Sequence, residues 1–468
     1  MRTRALVILV PFLPLVLGAC GAKSSPPGAP MPAYESTPRS AREAAGAGAY
    51  GAPKAEERSD ADGDSAMPAP PPPMPAGVSA PPKSGARSSA VAPTPMPGSA
   101  IKAGEWDDNA NYREYNQWLA TEESQPFHRV DVSQRRFLVV RDAQGKAVPR
   151  CRVTVADEKQ HQVTLTTTAS GHAVLFPRAE GLQGRDMTAS ASCEGSTATS
   201  RFALGEQDGM VDLKLATSRT LQGTRTIDVA FILDTTGSMA EEITAVKNTI
   251  QKVASSLDGG AVHVRIGMVA FKDRGDAYVT KVYPMTTNLQ AFQKDVADIR
   301  ANGGGDIPES VNEGIHVALT KLDWGQDAVA KMAFLVGDAP PHLDYAQDFD
   351  YAVDMKDAAH RGIQIFTVAA SGMDVLGQIV WRQIAEYTNA TNLFVMRGGA
   401  GPQSTGAGDP RSSCGGTQTS YASGNLDVLI MQKIHQELKS IDRDPTRIAG
   451  LGKDENAKPC NERLVARD

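Results

Sequence analysis

Three short segments of the sequence offer oxygen atoms of the kind that bind a hard cation. The segment DTTGS at 234–238 places one carboxylate and two hydroxyls at alternate positions. The segment GGGDIPE at 303–309 includes Asp306, and a Gly-Asp pair at 337–338 follows later. Carboxylates and hydroxyls without His or Cys favour Mg²⁺, with Mn²⁺ or Ca²⁺ as alternatives. The residue types therefore predict a divalent-cation site.

Strands and amphipathic helices alternate through residues 226–442, and they must position these segments. The segment IDVAFIL at 227–233 is apolar apart from Asp228, which is typical of a strand buried on both faces. The alternation predicts a doubly wound α/β domain with a mostly parallel sheet and helices on both faces, whose ligands bind at the carboxyl ends of strands. Further strands are predicted at Val262–Phe271, Lys331–Val336, Ile363–Ala369 and Leu393–Met396, and helices at Asn288–Ala301, Pro308–Leu322, Asp348–His360, Asp374–Tyr387 and Leu426–Ile441.

The pattern Asp234-x-Thr236-x-Ser238, with Asp338 later in the chain, resembles the metal-ion-dependent adhesion site of von Willebrand factor A (VWA) domains. The resemblance implies that both hydroxyls bind the metal directly. It implies that the two aspartates bind directly or through water, and that a carboxylate on a partner protein completes the shell. The fifth family ligand falls in the glycine loop, where this chain offers Asp306. The motifs GGGDxPE and DAPPH are similar to the hemicentin-like branch of VWA domains.

Other interpretations of the same residues stay open. Asp, Thr and Ser at 234–238 would also suit a helix N-cap, and Glu309 would suit the dipole of its own helix. A phosphoryl-transfer enzyme of the haloacid-dehalogenase kind also has an Asp after an apolar strand, but its later Gly-Asp-Gly motif is Gly-Asp-Ala here. We expect no catalytic residues and a binding protein that is not an enzyme. The alternative is a structural or assembly lipoprotein whose metal only stabilises loops.

Further polar residues near these segments are assigned no function. The sequence Arg274-Gly275-Asp276 spells an integrin-recognition tripeptide, which we interpret as coincidence. Asp273 is expected in a solvated turn, with an approach to the metal as the alternative, and His342 is expected to be a surface or packing residue.

The N-terminus carries basic residues, an apolar run at 5–17 and the sequence LGAC at 17–20, which resembles the lipobox of bacterial lipoproteins. We predict a signal peptide at 1–19 and lipidation of Cys20; the alternatives are a plain signal peptide with a stray cysteine and an inner-membrane anchor. Gly21 in place of Asp favours the outer membrane of the bacterial envelope. The Pro-, Ala- and Gly-rich segment 20–103 is expected to be a disordered tether because it has little apolar surface to bury.

Residues 104–218 are predicted to form a short helix at Gly104–Thr121 and then a small all-β sandwich. Period-two alternation between Arg135 and Ala216 favours the sandwich, which resembles carboxypeptidase-regulatory or transthyretin-like domains. The four aromatic packing candidates in the helix are Trp106, Tyr112, Tyr115 and Trp118. A Gly/Ser-rich insertion at 398–424 and a C-terminal tail at 443–468 complete the predicted organisation.

Four cysteines remain besides Cys20. An even number in an exported protein permits disulfides, and we favour pairing Cys151 with Cys193 and Cys414 with Cys460 because each pair stays within one region. Four free thiols are the alternative. The net charge of the 468 residues is -6, so the sequence lacks the basic field that nucleic-acid binding requires.

Overall fold

The computed structural model describes residues 102–221, 225–240, 242–257, 262–305, 307–370, 372–395 and 422–451. These residues form a β-sandwich and an α/β domain. Within these ranges, no helix is both long and apolar enough to cross a membrane.

The elements follow one another with strands concentrated before residue 220 and alternating with helices after it. The strands are β1 (Lys102–Trp106), β2 (Arg135–Arg141), β3 (Arg152–Asp157), β4 (Gln162–Thr166), β5 (His172–Leu175), β6 (Asp186–Cys193), β7 (Ser196–Ala203), β8 (Asp208–Lys214), β9 (Arg225–Asp234), β10 (Val262–Phe271), β11 (Thr280–Thr286), β12 (Ala330–Gly337), β13 (Ile363–Ala369), β14 (Asn392–Val395) and β15 (Ala422–Asn425). The helices are α1 (Tyr112–Thr121), α2 (Ile243–Leu257), α3 (Leu289–Ala297), α4 (Val311–Lys321), α5 (Tyr351–His360), α6 (Val375–Tyr387) and α7 (Leu426–Ser440).

One eight-stranded sheet, in the order β11-β10-β9-β12-β13-β14-β1-β15, forms the centre of the α/β domain. Strands β10, β9, β12, β13 and β14 run parallel, whereas β11 and β1 are antiparallel to their neighbours. Along β9, Ala230 and Ile232 join one apolar core while Val229 and Phe231 join the other. A strand covered on both faces needs apolar residues at every position. The predicted α/β fold with a mostly parallel central sheet is confirmed.

The prediction of a helix from Gly104 was wrong over its first part. Lys102–Trp106 is strand β1, which inserts between β14 and β15, and the helix begins at Tyr112. Ala103 lies opposite Val395, so the strand is held by a partner far along the chain that local sequence patterns do not reveal. Residues 102–121 therefore belong to the α/β domain, and the predicted boundary at 104–218 is corrected.

Strand β1 and helix α1 pack into the α/β domain through the four predicted aromatic residues, of which Trp106 lies on β1 and the other three on α1, and none is more than 2% exposed. Arg382 of α6 lies 3.6 Å over the ring of Trp118 and pairs with Asp108 at 2.6 Å. Glu105 of β1 forms a buried ion pair with Lys433 of α7. These contacts fix the N-terminal strand and helix against both the sheet and the last helix.

The β-sandwich consists of a three-stranded sheet, β5-β2-β8, and a four-stranded sheet, β4-β3-β6-β7. A disulfide joins Cys151 to Cys193. Cys20, Cys414 and Cys460 lie outside the described residues. The sandwich also contacts the α/β domain, since Glu180 accepts a hydrogen bond from Tyr387 at 2.5 Å.

Two further elements differ from the sequence-based expectations. Strand β11 at the sheet edge was not predicted, because its residues are only partly buried and alternate weakly. Strand β15 occupies the end of the predicted insertion at 398–424, where it pairs with β1. Both strands depend on a neighbour for their conformation more than on their own composition.

Candidate metal centre

The predicted ligand segments lie side by side at the carboxyl edge of the sheet. Strand β9 ends at Asp234, and its parallel neighbour β12 ends at Gly337, directly before Asp338. Asp234 is fully buried, and Asp338 is 9% exposed. Because parallel strands end at the same edge, the topology brings together aspartates that are distant in sequence.

A continuous chain of short polar contacts connects four of the five predicted metal ligands. The Thr236 hydroxyl donates to Asp234 Oδ1 at 2.7 Å and lies 3.0 Å from the Ser238 hydroxyl. Ser238 in turn donates to Asp338 Oδ1 at 2.9 Å. The two hydroxyls therefore stand between the two carboxylates, as the resemblance implied. Asp306, the fifth predicted ligand, lies outside the described residues, and its role stays a prediction.

The glycine loop packs directly against the first segment. The Gly237 amide donates to the Gly303 carbonyl at 2.8 Å, and a Cβ at position 237 would lie 2.7 Å from that oxygen. Gly303 has φ +75°, a conformation that favours glycine. Asp276 accepts a hydrogen bond from the Gly304 amide at 2.8 Å, so the aspartate of the tripeptide holds the loop.

Glu309 reaches the same site from the end of the glycine loop. It is 2% exposed, and its carboxyl group lies within hydrogen-bonding reach of the Thr236 side chain. Its amide donates to the Pro340 carbonyl at 3.0 Å, which ties the loop to the segment after β12. The sequence interpretation treated Glu309 as a helix-dipole residue. Motif spacing alone does not reveal which way a carboxylate at a helix start points.

Lys272 connects two loops of the metal centre. This residue is 2% exposed, and its ammonium group donates to the carbonyl oxygens of Thr235 and Asn302. One carbonyl belongs to the first segment and the other precedes the glycine loop. The buried cation thus holds two loops that carry metal-site residues.

The carboxylates of the centre repel one another in a buried environment. Burial and the charge of Asp338 raise the pKa of Asp234 to about 7. Burial and the charges of Asp234 and Asp273 raise the pKa of Glu309 to about 8. Burial also raises the pKa of Asp338. A divalent cation would favour the ionised form of all three groups.

The donor set fits a hard cation of the Mg²⁺ kind. Asp234 Oδ2 and Glu309 Oε2 are buried side-chain oxygens without a hydrogen-bond partner. Buried polar atoms in folded proteins nearly always have one, so these two oxygens could accept a bound cation. Within the described ranges, no three His, Cys, Asp or Glu side chains alone form a metal-binding group. A cation held here would therefore need the hydroxyls of Thr236 and Ser238 as well as the carboxylates.

The expectation that Asp273 lies in a solvated turn was wrong. Asp273 is 4% exposed and accepts hydrogen bonds from Ser310 at 2.9 Å and Tyr345 at 3.0 Å. His342 stacks on Tyr345 with ring centroids 3.7 Å apart and is 3% exposed, which agrees with a packing role. The loop after β10 folds inward because these remote polar groups satisfy the Asp273 carboxylate.

Residues 228–349 match the family model described as von Willebrand factor A domain, so a VWA domain is recognised over this stretch of the α/β fold. Domains of this class typically mediate protein–protein interactions. The matched residues include the ends of β9 and β12 and the glycine loop between them.

Relatives of this domain occur in proteins of different organisation. The von Willebrand factor A domain-containing protein 7 of Rattus norvegicus is 35% identical over 103 residues, which are 22% of this chain and 11% of that protein. The alpha-protein kinase vwkA of Dictyostelium discoideum is 28% identical over 134 residues, which are 28% of this chain and 21% of that protein. This chain therefore spans a small part of the length of these relatives.

Among solved structures, the conserved hypothetical protein BatB from Bacteroides thetaiotaomicron aligns with 46% of this chain and 99% of its own. The sequence identity is 15% and the TM-score is 0.32.

Proposed function

We propose that this chain binds a protein partner through a divalent cation held at the carboxyl edge of its VWA domain, and that it is not an enzyme. In this proposal Thr236 and Ser238 coordinate Mg²⁺ directly, with Mn²⁺ or Ca²⁺ as alternatives. Asp234 and Asp338 coordinate it directly or through water, and Asp306 contributes from the glycine loop. An acidic side chain of the partner completes the coordination shell.

The observation that carries the proposal is the buried, unpartnered oxygen of Asp234 beside two facing hydroxyls. Mg²⁺ prefers oxygen ligands, keeps several waters and leaves positions that an outside oxygen ligand fills. A helix cap alone would not need a buried carboxylate oxygen without a donor. The centre also lies on loops, where binding residues of rigid scaffolds concentrate.

The surface beside the centre supports a protein partner. Ile307 lies in the glycine loop two residues before Glu309, and its side chain is 65% exposed. Protein interfaces commonly place exposed apolar side chains around a specific polar contact. The apolar side chain and the cation together would give a partner one polar and one apolar anchor.

The proposed setting is the bacterial cell envelope. Cys20 would carry the lipid that anchors the chain, and the segment 20–103 would hold the folded part away from an outer membrane. The GGGDxPE and DAPPH motifs support a place in the hemicentin-like branch of VWA domains. Mass spectrometry of the mature protein tests the anchor, since acylation at Cys20 adds a defined mass to the first peptide.

Partner capture from an envelope extract of the source organism tests the binding function. The full chain is immobilised with Mg²⁺ or with EDTA, beside the variants Asp234→Asn and Asp323→Asn. The Asp323 side chain is 95% exposed, so that variant is a matched control for the loss of one charge. We expect one set of proteins that binds wild type and Asp323→Asn with Mg²⁺, and that is lost with EDTA or Asp234→Asn.

Equal capture by all samples would contradict the proposal. The structural alternative predicts a different result, in which EDTA lowers the melting temperature strongly and leaves capture by the remaining folded protein unchanged. Phosphate release from an aryl phosphate, abolished by Asp234→Asn, would instead favour an enzyme. Thermal unfolding and phosphate assays on the same samples separate the three outcomes.

A further inference from the structure

We infer that Glu309 is a third carboxylate beside the metal centre, which acts through Thr236 and not as a metal ligand, and which strengthens cation binding and weakens the capture of an acidic side chain by the bound cation. This inference rests on the proposed function and defines the specificity of the same site. It concerns a residue that neither the sequence motif nor the family comparison assigns to the metal.

The first argument is the position of the side chain. The Glu309 carboxyl group lies within hydrogen-bonding reach of the Thr236 side chain, whose hydroxyl donates to Asp234 and lies beside Ser238. Its other oxygen is buried and has no hydrogen-bond partner. A cap of its own helix would point to free amides of α4, whereas this carboxylate contacts the metal-site hydroxyl.

The second argument is that the surrounding backbone leaves room for this carboxylate. A Cβ at Gly304 would lie 2.8 Å from Glu309 Oε1 and 3.1 Å from Thr236 Cβ. The glycine therefore permits Glu309 and Thr236 to meet. The backbone of Glu309 is fixed as well, because its carbonyl accepts from the His342 amide at 3.1 Å.

The third argument is the charge of the loaded site. Two ionised aspartates, Asp234 and Asp338, neutralise one divalent cation, and Glu309 adds a further negative charge to that of Asp306, the ligand proposed from the glycine loop. A partner carboxylate that approaches the bound cation then meets a net negative cluster and binds more weakly. Polar groups that contact metal ligands commonly change metal affinity about 10- to 100-fold.

Water-proton relaxation of Mn²⁺ bound to the full chain measures both effects. Titration with Mn²⁺ gives its dissociation constant, and acetate, as a free carboxylate, lowers the relaxation when it displaces metal-bound water. For Glu309→Gln we expect the Mn²⁺ dissociation constant to rise about tenfold. At saturating Mn²⁺ we expect acetate to bind about three- to tenfold more tightly than to wild type.

Glu313→Gln is the matched control, because it removes the same charge from helix α4 itself at a partly exposed position. It should bind Mn²⁺ and acetate as wild type does. Glu309→Asp keeps the charge and should keep acetate binding weak, which guards against a fold effect of the amide. Asp306→Asn shows whether the other loop carboxylate has the same influence.

Two results have distinct meanings. If Asp338→Asn weakens Mn²⁺ binding while Glu309→Gln changes neither Mn²⁺ nor acetate binding, the role of Glu309 is wrong and the proposed function stands. If Asp338→Asn also binds Mn²⁺ as wild type does, the metal centre itself is wrong, and both proposals fail.

Discussion

The metal centre and the corner where β1 and α1 join the α/β domain both bury carboxylates, but they surround them differently. In the corner, the buried Asp108 receives two hydrogen bonds from Arg382, at 2.8 and 2.6 Å. In the metal centre, Asp234 faces another carboxylate and keeps one oxygen without a donor.

The difference separates a structural role from a binding role. The sequence places guanidinium groups beside buried acids where the fold needs them, and each such pair satisfies its own charges. At the carboxyl edge of the sheet, Asp234 has no such guanidinium partner, and we propose that a bound cation supplies the positive charge. We interpret the corner as a fixed junction and the edge as a site for a cation.

The largest expected effect on stability comes from removing the ion pair between Arg382 and Asp108 in the corner. Arg382→Met leaves the buried Asp108 carboxylate without its cation, and loss of one partner of a buried pair costs about 3–5 kcal/mol of unfolding free energy. Urea denaturation measures this loss. Arg447→Met is the control, since that side chain is 89% exposed in a 3.9 Å pair. A loss below about 1 kcal/mol in Arg382→Met would mean that the corner pair is not structural.

Replacing Asp108 and Asp234 by Asn, one at a time, compares the corner and the metal centre directly. In EDTA at pH 8, Asp108→Asn should lose about 3 kcal/mol because it removes the charge that Arg382 needs. Asp234→Asn should stay within about 1 kcal/mol of wild type, because it removes repulsion as well as a hydrogen-bonded charge. Chemical denaturation of both variants checks this contrast. Equal losses would show that Asp234 is satisfied by the protein alone.

Glu386 is a buried acid of the corner that differs from Asp108, and it should make the free energy of unfolding depend on pH. Burial raises its pKa from 4.5 to about 8, and neither oxygen has a hydrogen-bond partner. The unfolded chain ionises near 4.5 while the folded chain keeps the proton, so this group lowers stability as pH rises from 4.5 to 8. Glu386→Gln should flatten that decrease and be about 1–3 kcal/mol more stable than wild type at pH 8.

Unfolding curves at pH 4.5 and pH 8 check the Glu386 prediction. The variant and wild type should be similar at pH 4.5, where both the acid and the amide are neutral. A variant less stable than wild type at pH 8 would indicate that the ionised carboxylate is held by Arg135, the largest charge that lowers its pKa.

The smallest expected effect on stability comes from the exposed apolar side chain beside the metal centre. Ile307→Ser should change the unfolding free energy by less than about 0.5 kcal/mol and weaken capture of the Mg²⁺-dependent partner about fivefold. Met210→Ser in the sandwich, at a residue 40% exposed, is the control and should leave capture unchanged. Equal capture by both variants would place the partner elsewhere on the domain.

The sequence predicted more of the metal centre than of the corner, and the reason is physical. Strand β9 and the residues after it combine an unbroken apolar run with Asp, Thr and Ser, so both burial and chemistry are local properties of the chain. The meeting of Asp234 with Asp338 followed from parallel topology alone. The inward direction of Glu309 did not, because it depends on the space left by Gly304 and on contacts with Pro340.

Local sequence patterns could not predict the contacts of the corner, because the residues that meet there are far apart in the sequence. Lys102–Trp106 forms a strand through pairing with β14 and β15, and five residues without a β-branched side chain give little sign of it. The inward fold of Asp273 likewise depends on Ser310 and Tyr345. Long-range strand pairing and buried polar contacts of this kind could therefore be identified only from the structure.

Direct metal binding tests the central claim. Isothermal titration of the metal-free full chain with Mg²⁺ at pH 8 should give one bound cation per chain. At a free concentration of 100 times the dissociation constant, that cation should stabilise the fold by about 2.7 kcal/mol. Asp234→Asn should lose both the binding and the stabilisation. Equal Mg²⁺ binding by wild type and Asp234→Asn, or none by wild type, would contradict the account.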